Sequence, residues 1–178
     1  MNNQKNKRLL LCIISIIILV IMDQLAKLWA VSRLENKEPI QLINNVLELY
    51  YLPNGNTGAA FGMLQGHQVL FLIIAIVISI VLLFIIYSMP FDKKYRAITI
   101  ILTFIIAGGI GNMIDRFRLN YVIDFIYISI INFPIFNVAD MYVSVATTLL
   151  VILFLFYYKE EDINLIEKSV KAFFHKDK

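Results

Sequence analysis

The sequence predicts an all-α integral membrane protein of four transmembrane helices, with a small β-platform on one membrane face and a C-terminal helix at the other. Three observations predict it. Of the 178 residues, 60% are hydrophobic and only 16% charged, and the mean hydropathy is +0.76, far above what a soluble domain of this length needs. Lys, Arg, Asp and Glu are absent from four stretches, 9–22, 49–91, 97–114 and 141–158. Eleven of the 16 Lys and Arg residues gather in three segments: the N-terminus (Lys5, Lys7, Arg8), the 93–96 loop (Lys93, Lys94, Arg96) and the tail (Lys159, Lys168, Lys171, Lys176, Lys178). With about 20 apolar residues per crossing, helices fall near 9–30, 68–88, 97–114 and 141–158, in a single four-span domain covering 1–178. The positive-inside rule then puts both termini in the cytoplasm and turns segments 31–67 and 115–140 outward. The net charge of +3 reflects membrane anchoring and gives no reason to expect nucleic acid.

The first helix begins like a secretory signal peptide, with a basic start and an uncharged run. Leu11, before the only cysteine, Cys12, is not the small residue that processing needs, and the apolar pattern resumes at Leu25, Ala26, Leu28, Trp29 and Ala30. It is therefore read as an uncleaved anchor. A lone cysteine excludes an internal disulfide and a thiolate metal site. Asp23 and Lys27, four apart, meet on one face and can neutralise each other, as structural support or as contacts to substrate or headgroup.

In the outward loop 31–67, Val46–Leu52 has strand composition and Pro53-Asn54-Gly55-Asn56-Thr57-Gly58 is a strong turn signal. A small sheet on the outer face, with Tyr50 and Tyr51 at headgroup level, could take an extended peptide as an added strand. The third helix ends in Gly108-Gly109-Ile110-Gly111-Asn112, small residues that permit close helix approach and an amide able to bond across helices. Asp115 follows, with Arg116 beside it as a neutralising charge. In the tail 159–178, Ile163, Ile166, Val170 and Phe173 recur at helical spacing, which suits either an interfacial helix or a short solvated one.

Asp124 and Asp140 stand apart from the other acids. Each lies in an apolar run at the same outward edge, with no basic residue within five positions. A charge inside the membrane costs about 2.5–3.5 kcal/mol on insertion scales and marks a functional site by default. Two facing carboxylates that share one proton are the minimum apparatus of aspartyl hydrolysis: one activates water while the protonated partner polarises the scissile carbonyl. The bland alternative is a pair of loop acids in outer water. Asn137 can orient a carboxylate or simply cap a helix. His67 and His175 are predicted on opposite faces, so a histidine metal site is not expected, and no cofactor is called for.

Five blocks then carry a resemblance: Asp23-Gln24-x-x-Lys27, Asn56-x-Gly58-x-Ala60-Phe61, Gly111-Asn112-x-x-Asp115-Arg116, Val122-x-Asp124-Phe125 and Phe136-Asn137-x-Ala139-Asp140. In this order, on a four-helix pattern, the chain resembles the bacterial signal peptidase II family, the lipoprotein signal peptidases. The resemblance implies an aspartic endopeptidase of the cytoplasmic membrane that cuts prolipoproteins just before a diacylglyceryl-modified cysteine and is inhibited by the cyclic peptide globomycin. It implies Asp124 and Asp140 as catalytic, Asn56, Gly58, Asn112, Arg116 and Asn137 as pocket residues, and Asp23, Lys27 and Asp115 as supporting. Met141, where a smaller residue is expected, and the long tail depart from the family pattern. A monomer in contact with membrane lipid is expected. The competing classes are a small ion- or proton-coupled carrier, which would place its acids near the midplane of broken helices, and a non-catalytic assembly subunit packed through Gly108, Gly109 and Gly111.

Overall fold

The computed structural model describes residues 2–58 and 67–174. Ala60 and Phe61 of the second block, His175, Lys176 and Lys178 lie outside the described residues. Among the described residues, four helices are long and apolar enough to cross a membrane: α1 (Asn2–Leu34), α2 (Gln68–Ser88), α3 (Arg96–Leu119) and α4 (Val138–Phe156). A fifth helix, α5 (Glu160–Phe174), follows.

Helix α3 is the axis of the bundle, packed against α1, α2 and α4. Its most apolar window is 44% buried, compared with 17% for α1 and 11% for α2 and α4, whose Leu, Ile, Val and Phe side chains remain exposed on the outside. An apolar exterior is what hydrocarbon surroundings require. Glycine sets the closest approach. A Cβ on Gly108 would stand 2.5 Å from the Ala139 carbonyl oxygen, and one on Gly111 would stand 2.6 Å from Asp23 Oδ2, so α1, α3 and α4 converge there. Gly109 has nothing within 4 Å of a built Cβ and takes no part in the seam.

Two helix ends differ from the charge-free windows, with consequences for the site. Helix α3 continues one turn further, through Asp115, Arg116 and Arg118, to the left-handed Asn120. Helix α4 starts at Val138, so Asp140 lies in its first turn. A window that stops at any charge cannot see this: the Asn137 side chain accepts from Asp140 N, Asp140 accepts from Asn137 N, and this capping box makes the acid part of the helix start.

The sheet is antiparallel, in the order β1 (Ile40–Ile43), β2 (Leu47–Leu49), β3 (Ile126–Tyr127). The strand expected over 46–52 is regular only at Leu47–Leu49. Beyond it the chain still runs along the segment after α3: Tyr50 N donates to Phe125 O, Leu52 N to Asp124 O, and Asn56 and Val122 exchange both backbone bonds. Asp124 is thus held in an extended segment clamped by the chain between α1 and α2. Tyr51, expected to face the headgroups, is instead buried with Ala30, Leu34, Ile123 and Phe125 in a core beneath the platform. Gly55 (φ +66°) completes the turn, where a Cβ would sit 1.9 Å from the Tyr121 ring.

At the other end, Cys12, Ile86, Met89, Tyr95, Leu102 and Tyr158 form the larger core. Helix α5 is tied to it: the Lys94 ammonium lies 2.6 Å from Asp162, Tyr158 Oη donates to Lys94 O, and Ile166 packs on the core. That docking makes the tail a helix held against the bundle and not a frayed, solvated one.

Candidate active site

Two polar clusters meet where α1, α3 and α4 converge. The first is centred on Lys27, 1% exposed, between Asp23 (0%) and Asp115 (2%). Its ammonium lies 2.9 Å from Asp23 Oδ2 and 2.9 Å from Asp115 Oδ2, and donates to Asn112 Oδ1 at 3.0 Å. An ammonium has three donors, and all three are used. The carboxylates are completed by other groups: Ala139 N donates to Asp23 Oδ1, Ile123 N to Asp115 Oδ2, and Gln24 Nε2 to both acids and to Gly111 O. The cation opposite Asp115 is therefore Lys27. Adjacent helical residues do not face each other, and Arg116 points elsewhere.

The second cluster holds Asp124 and Asp140, and its donors are amides. Asp124, 1% exposed, accepts from Asn137 Nδ2 at 2.6 Å and from Asn56 Nδ2 at 2.9 Å. Asp140 accepts from Asn112 Nδ2 at 2.8 Å and from Asn137 N at 3.1 Å. Among the described residues neither carboxylate has a cationic partner within 4 Å. Asn137 is the common element. It caps α4 through its Oδ1, bonds Asp124 and Asn112 through its Nδ2, and bonds Asp140 through its backbone. The two readings of this residue, cap and orienter, are both realised by one side chain.

Asp124 lies in the connection between α3 and α4. Burial, and then the charge of Asp140, push its carboxyl up to about 7, against the opposing hydrogen bonds from Asn56 and Asn137 and the more distant Lys27. A group poised near neutrality next to a second carboxylate is what proton sharing requires.

Around this pair, Gly58 N donates to Asn56 Oδ1, Arg116 Nη2 donates to Gly58 O, and the Arg116 guanidinium lies 4.8 Å from the centre of the Phe71 ring. Arg116 Nε is buried without an acceptor among the described residues. All ten residues singled out from sequence thus fall in one connected network at the platform end of the bundle. Met141, 45% exposed, points away from it. Sequence reasoning quoted Gln24 in the first block without giving it a role, and missed Phe71, which nothing in its apolar run distinguishes.

Four apolar spans and a pair of carboxylates bridged by an asparagine are the parts that a membrane-embedded aspartic protease needs. The profile of the family described as signal peptidase (SPase) II matches residues 15–156. The chain is 45% identical over 136 residues to the lipoprotein signal peptidase of Streptococcus agalactiae serotype Ia, covering 76% of this chain and 86% of that one. It is 41% identical over 152 residues to that of Streptococcus pyogenes serotype M5, covering 85% and 95%. Two solved structures, described as a bacterial membrane enzyme by the in meso method at 2.3 and 1.9 Å, superpose with a TM-score of 0.70 each, at 29% and 31% identity, over 84% and 83% of this chain and 92% and 94% of theirs. The chain belongs to the signal peptidase II family, and is an aspartic-type protease. That membership displaces the carrier and assembly-subunit readings.

Proposed function

We propose that this protein removes signal peptides from prolipoproteins, cutting just before the diacylglyceryl-modified cysteine, with Asp124 and Asp140 as the catalytic dyad. The observation that carries the proposal is the contrast in partners: among the described residues, the two clustered acids without a cation in contact are bridged by Asn137 at the end of the bundle. Asp124 is assigned the shared proton, because burial and the charge of Asp140 raise its carboxyl to about 7. Asp140 is assigned as the base. As Asp140 takes a proton from water, the hydroxyl oxygen bonds to the scissile carbonyl carbon and Asp124 gives its proton to the carbonyl oxygen. Collapse of the tetrahedral diol breaks the C–N bond; Asp140 returns its proton to the leaving amine and Asp124 recovers one from the diol.

Asn56, Gly58, Asn112, Arg116 and Asn137 are assigned to the pocket, and Asp23, Lys27 and Asp115 to its support. The protein acts as a monomer of one four-span domain in a bacterial cytoplasmic membrane, with both termini inside and the dyad near the outer face. A lipidated substrate then enters sideways between helices, its acyl chains staying in the bilayer while water reaches the scissile bond from outside. Globomycin is expected to bind between the acids.

Purified protein in lipid, given a diacylglyceryl-modified prolipoprotein and its unmodified twin, tests this. Cleavage of only the modified substrate, lost in a folded Asp140→Asn variant, is expected; near-normal cleavage by that variant rules out the dyad.

A further inference from the structure

At the end of the bundle away from the dyad, α1 and α3 stand apart around a cavity of about 930 Å³, within the roughly 300–1,000 Å³ typical of ligand sites. Between Arg8, on its rim, and Asp23 lie about 22 Å of helix, so this space is separate from the proteolytic site. We propose that it is a binding site for an anionic phospholipid of the surrounding leaflet.

Two halves of the cavity argue for a molecule with two halves. Its deeper wall is apolar, with Leu11, Leu19, Ile100 and Phe104 among the lining residues. Leu11 and Ile100 are more than half exposed, 56% and 57%, so the wall is open to acyl chains from the side. The hydroxyls of Thr99 and Thr103, also on the wall, are already spent on the carbonyls of Tyr95 and Thr99. The rim carries Lys7, Arg8, Lys93 and Arg96. None of these four has a carboxylate within 4 Å among the described residues. The one rim acid, Asp92, is occupied in capping the turn before α3 by accepting from Lys94 N. Arg8 is fixed in place, its Nη atoms donating to the carbonyls of Tyr87, Met89 and Pro90.

A preformed, unpaired cationic rim above an apolar slot matches a phosphodiester headgroup above acyl chains. The same charge argues against the substrate itself as occupant, since the leading segment of a signal peptide is basic and would be repelled.

The test is native mass spectrometry of the full chain from detergent, with equal amounts of dioleoyl phosphatidylglycerol and dioleoyl phosphatidylcholine. Wild type should retain the anionic lipid preferentially, and a Lys93→Gln/Arg96→Gln double variant should lose about ten- to thirtyfold of that preference. Glycerol phosphate, which has no chains, should not displace the bound lipid. A Lys168→Gln/Lys171→Gln variant removes equal charge from α5 and should retain the preference. Equal retention of the two lipids by wild type, or equal losses in the two double variants, overturns the site. Both pairs of residues lie on exposed surface away from the dyad, so their proteolysis serves as a fold check, and lipid retention is read whether or not the protease assignment holds.

Discussion

Two acid clusters lie side by side in this protein and are built on opposite terms. Around Lys27, the Asp23 and Asp115 carboxylates receive an ammonium, two backbone N–H groups and a glutamine. Around Asn137, the Asp124 and Asp140 carboxylates receive amide donors and no cation within contact. Asp23, Lys27, Asp115 and Asp124 are buried and Asp140 is partly so; the difference in partners, more than depth, decides what each can do. A direct counter-ion offsets part of the cost of burying a charge; Asp124, with neutral donors and a like-charged neighbour, is pushed toward its protonated form. Asn112 links the two, accepting from Lys27 and Asn137 and donating to Asp140. The first cluster is in this reading the fixed wall against which the second is positioned.

That comparison is broken most strongly at the dyad. Asp140→Asn should lower cleavage by about 10²- to 10⁴-fold, the usual worth of a positioned acid or base, with the thermal midpoint in detergent nearly unchanged. A parallel fall in midpoint would make Asp140 part of the wall. Lys27→Met should do the reverse in kind, destabilising by about 3–5 kcal/mol because it leaves buried carboxylates without their counter-ion; the folded fraction after solubilisation reads it, and a stable protein would mean that the first cluster is dispensable. Asn137→Ala tests the residue that serves both carboxylates of the dyad. Losing the cap should cost about 0.5–2 kcal/mol, while cleavage should fall well beyond what the lost folded fraction explains.

The finest test is of pH. In the proposed mechanism Asp124 holds its proton for the first step, so cleavage should decline as pH rises through about 7. The hydrogen bond from Asn56 favours the charged form and pulls that value down. Asn56→Ala should therefore move the alkaline limb of the pH–rate profile upward. A limb that stays in place would show that Asn56 acts on substrate alone. For stability the sign is the same: a carboxyl raised from 3.8 to about 7 on folding contributes stability at acid pH that is lost as pH rises through about 7.

Much of the bundle was legible because membrane insertion is a rule about composition. Runs without charge marked the spans, and the same rule made acids in apolar surroundings stand out. Helix ends were less legible. Asp140 and Asp115 both lie inside helices that a charge-free window truncates, since a first turn with a capping box and a last turn with a buried ion pair can carry charge that mid-helix lipid exposure forbids. The platform was half visible: the turn at Asn54-Gly55 is a local signal, whereas β3 is two residues long and exists only because β2 reaches it across the chain.

What the sequence by itself determined is therefore the chemistry available: four apolar spans, a basic bias at one end, and acids placed where lipid or burial makes charge costly. The tertiary structure alone decided the pairing. Lys27 went to Asp115, 88 positions away, although Arg116 stood next to it, and Asn137 was brought to Asp124 from another segment. Local spacing sets which side chains share a helix face, but which carboxylate keeps a counter-ion depends on helices meeting at Gly108 and Gly111, where the absence of a side chain lets α1, α3 and α4 close up.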